Sequence, residues 1–144
     1  MPTHYDQDAY AWALEQASLL RRGKLDQLDT EHLAEEIESM GKSERRALVS
    51  QLARLFIHLL KWDHQPERRS RSWSLTIQDA QVKVTRLLSE NPSLKGSLGE
   101  LMSEAYDDAR RAAAIEAELD LDTFPEQCLY SFDEAMTFTP EDSP

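Results

Sequence analysis

Residues 42–62 read KSERRALVSQLARLFIHLLKW, from Lys42 to Trp62, and no other stretch says as much about the fold. Leu48, Leu52, Leu55, Phe56 and Leu59 recur at steps of three and four, which places them on one stripe of an α-helix. Ile57 and Leu60 widen that stripe until the last two turns are apolar almost all round. A helix of this kind belongs at the centre of a bundle. Neither glycine nor proline interrupts it.

The flanking segments repeat the pattern. Upstream, Asp29 is placed to cap a second helix ending at Met40, with Gly41 as its stop. Leu33, Ile37 and Met40 are its expected core stripe, and Glu31, Glu35 and Glu38 share the far face. Before it, a helix is predicted from Asp6, its cap, to Arg22, with Gly23 as the left-handed residue past its end. Downstream, Asp63–Ser72 forms a corner around Pro66. A helix over Ser72–Glu90 follows, turning Trp73, Ile77, Ala80, Val84, Leu87 and Leu88 inward. Asn91-Pro92 opens another, to about Glu118. Ser131 and Glu134 have the spacing of a capping box for a short last helix. Residues 119–136 carry Leu121, Phe124, Leu129, Tyr130 and Phe132, too many large apolar groups for a free tail, so they should wrap onto the bundle. The expected fold is all-α: a single-domain bundle of five to six helices, with its core over residues 5–136 and a frayed tail over 137–144.

Composition sets the limits. The chain has 144 residues, 40% apolar and 30% charged, which suits one globular domain. The lone Cys128 excludes an intramolecular disulfide and a cysteine-built zinc site. No stretch is long and apolar enough for a membrane span, and the first residues lack the pattern of a secretory leader, so a cytoplasmic setting is expected. The net charge of −11 is segregated. Residues 1–41 hold three Lys/Arg against nine Asp/Glu, residues 42–86 ten against four, and residues 87–144 three against fourteen. Acidic ends packed beside a basic middle explain this pattern without any partner.

The residues read so far resemble a bacterial family known as domain of unknown function 29. The matching stretches are Tyr5-Asp6 with Tyr10-Ala11-Trp12, Leu33 to Gly41, and His58-Leu59-Leu60-Lys61-Trp62. They continue through Arg69-Ser70-Arg71-Ser72-Trp73, Asn91-Pro92-Ser93-Leu94 and Phe124-Pro125-Glu126-Gln127-Cys128. Leu129 departs from the Cys-Pro-Tyr expected there. The resemblance implies an all-helical domain and carries no activity.

Four constellations could carry chemistry. His32 and Glu36, four apart on a helix with Glu35 beside them, could share a metal, but the paired Glu-x-x-His signature of bundle metal sites is absent, so no metal and no cofactor is expected. His58 falls at the border of the apolar stripe, near Lys61 and Trp62. Arg68, Arg69 and Arg71 beside Trp73 could clamp phosphates, but the acidic whole lacks the basic footprint of a nucleic-acid reader. Cys128 has no histidine near it in sequence to activate it. If Gly41 makes a hairpin, Lys61, Arg69 and Arg71 return beside Glu35 and Glu36. The candidate pocket is then Glu35, Glu36, His58, Lys61, Trp62, Arg69, Arg71 and Trp73, with Glu36 paired to Arg69. The expected function is an interaction or adaptor-type module for a protein partner or a second copy. The alternatives are an enzyme or small-ligand protein using that pocket, and a nucleic-acid-associated regulator using the basic segment 42–86.

Overall fold

The computed structural model describes residues 3–140, and every regular element among them is helical. The α-helices are α1 (Ala9–Arg21), α2 (Thr30–His64), α3 (Arg71–Glu90), α4 (Leu98–Ala117) and α5 (Phe132–Thr137). Short 3-10 turns, Leu25–Gln27, Pro66–Arg68, Pro92–Ser97 and Leu121–Thr123, separate them. The chain divides into two compact units, Met1–Ser43 and Glu44–Pro144.

In the first unit, α1 is capped by Asp8 and not by Asp6: its carboxylate accepts from the Ala11 N–H at 3.0 Å. The helix stops as expected, with Gly23 in the left-handed region at φ 71°. Trp12, Gln16 and Leu19 are its buried face. Asp29 caps α2, as its position predicts: its Oδ1 accepts from the His32 N–H at 3.4 Å. The Gln16 side chain in turn accepts from the Asp29 N–H at 2.8 Å, so α1 helps to hold the start of α2.

Gly41 does not end a helix. The two helices expected at Asp29–Met40 and Lys42–Trp62 are one, α2, of 35 residues. A lone glycine inside a helix costs only about 1 kcal/mol relative to alanine. Neither of its neighbours is proline, and Lys42, Glu44, Arg45 and Arg46 are good helix formers. With no hairpin there, the stripe Leu33, Ile37, Met40 loses its expected cover, and Ile37 and Met40 are exposed.

The second unit holds the contiguous core. Leu48, Leu52, Leu55, Phe56, Leu59 and Leu60 of α2 pack with Ile77, Ala80, Val84 and Leu88 of α3 and with Leu101, Ala105, Ala109 and Ala113 of α4. These are the inner faces that the helical periodicity marks. Ser70 caps α3 by accepting from the Trp73 N–H, and Asn91 closes it through a bond to the Leu87 carbonyl. Pro92–Ser97 is a 3-10 turn, so α4 begins at Leu98 and not at Pro92. It ends with Glu118 in the left-handed conformation, φ 56°.

The last segment wraps onto this unit as expected. Phe124 and Ala135 are buried. Tyr106 donates to the Pro125 carbonyl at 2.6 Å and Arg110 to the Phe124 carbonyl at 3.1 Å. Ser131 and Glu134 form the full capping box of α5. Gln81 donates to the carbonyls of Ala135 and Phe138, and Pro140 is buried, so packing continues past residue 136. The rest of the expected frayed tail, 141–144, lies outside the described residues.

Candidate functional site

The residues of the expected pocket are divided between the two units. Glu35 and Glu36 lie in the first unit, and His58, Lys61, Trp62, Arg69, Arg71 and Trp73 in the second. Their meeting was expected from a turn at Gly41, and Gly41 is instead helical, inside α2. Within the first unit, Glu36 accepts from the Tyr5 hydroxyl. That bond raises the Tyr5 pKa. Glu35 is exposed.

Among the other six, the structure makes two cation–aromatic pairs. Arg69 donates through Nε to the Trp62 carbonyl at 2.8 Å, and its guanidinium lies 5.1 Å from the centre of the Trp62 ring. Lys61 sits 4.9 Å from the centre of the Trp73 ring and 3.6 Å from the Glu116 carboxylate. These contacts tie the corner back to the end of α2, and the end of α2 to α3 and α4. His58 donates from Nδ1 to the Arg54 carbonyl at 2.9 Å. Burial holds its pKa below the ordinary 6.5, so the ring is neutral near pH 7. Arg71, the first residue of α3, is exposed. The basic segment is partly neutralised within the fold: Arg45 pairs with Glu104 at 2.9 Å, and Arg54 with Asp79 at 2.7 Å.

The cluster that does form in the first unit centres on Asp29. Its Oδ2 accepts from Trp12 Nε1 at 3.0 Å and from His32 Nδ1 at 2.7 Å. The Tyr5 ring stacks on His32 with centres 4.4 Å apart and meets Trp12 edge-on at 4.8 Å. The bond to Asp29 raises the His32 pKa. Burial works against the Asp29 charge, but bonds from His32 and Trp12 outweigh it and lower its pKa. Trp12 and Asp29 escape a sequence search for a site because each has an ordinary local role, as a core aromatic and a helix cap. Only the antiparallel return of the chain after Gly23 brings them together.

Around that cluster the unit leaves much apolar surface bare. Tyr10 is 77% exposed, Leu14 57%, Ile37 63% and Met40 65%. Every residue of α2 from Ala34 to Ser43 is exposed.

The second unit has a cleft of about 430 Å³ between α4 and the returning chain. Met102, Ser103, Tyr106, Cys128, Tyr130 and Phe132 line it. Burial raises the Cys128 thiol pKa, so the thiolate is disfavoured, and the thiol donates to the Tyr130 carbonyl. Tyr130 donates to the Asp63 carboxylate, and burial together with that bond keeps its hydroxyl protonated. Neither group is poised as a nucleophile or base. Among the described residues, no three His, Cys, Asp or Glu side chains come together as metal ligands, and no helix is long and apolar enough to cross a membrane.

The family model described as "Domain of unknown function DUF29" matches residues 4–139, nearly the whole chain, and the protein belongs to that family. No curated protein matches it. No solved structure matches it either.

Proposed function

We propose that this protein is an interaction module of the adaptor type, and that Met1–Ser43 is its docking unit. The observation that carries this reading is the bare apolar surface of that unit, formed by Tyr10, Leu14, Ile37 and Met40. Burying one large apolar side chain contributes roughly 1.5–3 kcal/mol, so leaving several exposed on so small a unit forgoes much of its available stability. A unit near 40 residues, with no disulfide and, among the described residues, only Trp12 and Leu19 as buried large apolar groups, gains most from a partner that covers it. A reducing, cytoplasmic setting belongs to the proposal and fits a free, half-buried Cys128.

The test is a photo-crosslinking amino acid placed at Tyr10 or Ile37 in living cells, with the exposed Gln78 of α3 as the control position. A defined protein adduct should form from the first two positions and not from Gln78, and Met40→Lys should abolish the adduct at Ile37. No adduct, or equal adducts from all three, would overturn the reading. A second reading, a small-ligand protein, rests on the cleft beside Cys128. Its test is whether filling the cleft by Ser103→Trp removes saturable binding of fragment-sized ligands.

A further inference from the structure

Building on the small-ligand reading of the cleft beside Cys128, we propose that this cleft binds a small organic cation, a protonated amine carrying an apolar body. One wall is α4, where Gly99, Met102, Ser103, Tyr106 and Asp107 fall at i, i+3, i+4, i+7 and i+8, along one helical face. The other wall is the chain from Glu126 to Phe132, which leads into α5. At about 430 Å³ the space suits a small molecule. Phe56 packs against both tyrosine rings of the lining. Tyr130 lies nearly parallel to it with centres 6.3 Å apart, and Tyr106 meets it edge-on at 5.9 Å. The rings are thus already placed, and a ligand does not have to order them.

The polar groups choose the charge of the ligand. Most donors of the lining are spent inside the protein. Tyr106 gives its hydroxyl proton to the Pro125 carbonyl and Tyr130 to the Asp63 carboxylate, and Cys128 gives its thiol proton to the Tyr130 carbonyl. Asp107 and Glu126, by contrast, enter no ion pair among the described residues. No Lys, Arg or His lines the cleft. Arg110, one turn beyond Tyr106 on α4, donates to the Phe124 carbonyl and lies 3.9 Å from the Asp122 carboxylate. Residues 87–144 hold three Lys/Arg against fourteen Asp/Glu, so the surrounding field draws cations in and turns anions away. The lining therefore offers carboxylates and aromatic rings, the two partners that suit an ammonium group, with Met102 and Phe132 for an apolar body. A neutral ligand of the same shape forgoes the carboxylates, and an anion is repelled by them.

The experiment is methyl NMR of the full chain with carbon-labelled methionines, titrated near pH 7 with three probes that share one apolar body: phenethylamine, a cation; phenethyl alcohol, neutral; and phenylacetate, an anion. Met102 lines the cleft and reports binding, and Met40, in the first unit, is the internal control. Phenethylamine should shift the Met102 methyl saturably and leave Met40 unmoved, with a dissociation constant on the order of 1 mM. Phenethyl alcohol should bind at least about tenfold more weakly, and phenylacetate should give no shift. Asp107→Asn and Glu126→Gln together should weaken phenethylamine about tenfold and leave the alcohol unchanged, while circular dichroism shows the helices retained. A capped Ala-Lys-Ala peptide carries the ammonium without the aromatic body and should bind more weakly than phenethylamine. Tighter binding of the peptide would overturn the small-molecule ligand in favour of a protein's lysine. Equal binding of the three probes, or binding indifferent to the double variant, would overturn the cation and leave the small-ligand reading standing. No Met102 shift with phenethylamine would also overturn the cation, and if a set of fragments fails to bind as well, the small-ligand reading falls with it.

Discussion

Each of the two units is stabilised internally by different physics. In Glu44–Pro144, the side chains of α2, α3 and α4 interdigitate in a contiguous apolar core, with Leu48, Leu52, Leu55, Phe56 and Ile77 fully out of water. In Met1–Ser43, Trp12 and Leu19 are the buried large apolar groups among the described residues, and the joint between α1 and the start of α2 is a polar and aromatic network around Asp29. The first arrangement spreads stability over many interchangeable contacts. The second concentrates it in a few groups and leaves apolar surface for use elsewhere. A small unit can hold its shape without a large core, provided that a few hydrogen bonds are well placed and partly shielded.

The largest expected effect breaks the second unit. Leu55→Ala removes a fully buried side chain and should cost about 2–5 kcal/mol in a urea melt. A cost near zero would mean that the core is not the support described. Asp29→Ala comes next. It removes a helix cap and two side-chain bonds at once, and should lower the midpoint of the same melt by less than Leu55→Ala does. Hydrogen exchange should show the loss confined to Ala9–Arg21 and the first turns of α2. Equal loss of protection in α3 and α4 would erase the contrast between the units.

Gly41→Ala tests the helix that belongs to both. Nothing lies within 4 Å of an added Cβ, and Gly41 is not among the positive-φ residues. The change should therefore stabilise by up to about 1 kcal/mol, seen as a raised melting temperature. A lowered one would restore the turn that α2 lacks.

The smallest effect is the response to pH, and its sign differs between the units. The His32 pKa is raised, so its contribution is present below 6.5 and is lost as pH rises through the folded value. Asp29, with a lowered pKa, supports the same cluster above its ordinary 3.8 and loses that support in acid. The His58 pKa is lowered, so the second unit loses stability as pH falls below 6.5 and the ring is forced to charge. Proton NMR titration of the two ring signals should give midpoints on opposite sides of 6.5. Two coincident midpoints would remove the distinction.

Much of this architecture is determined by the sequence alone, because it rests on local rules. Asp29 and the Ser131–Glu134 box cap helices where their spacing says they should. Gly23 takes the left-handed turn for which its missing side chain suits it. The Leu48–Leu59 stripe of α2 and the Ile77–Ala80–Val84–Leu88 face of α3 are buried because helical periodicity puts each on one face. Position alone misplaced the cap of α1: Asp6 and Asp8 are chemically equal candidates, and the turn before the helix selects Asp8.

Tertiary structure decided the remainder. Whether Gly41 stops a helix depends on what packs on either side of it, because its intrinsic cost is too small to decide alone. That one outcome moved Ile37 and Met40 from expected core to open surface. It also left Glu36 to Tyr5, Arg69 to Trp62 and Lys61 to Trp73. Partners far apart along the chain are chosen by long-range packing, and a charged side chain accepts whichever complement the fold brings within reach.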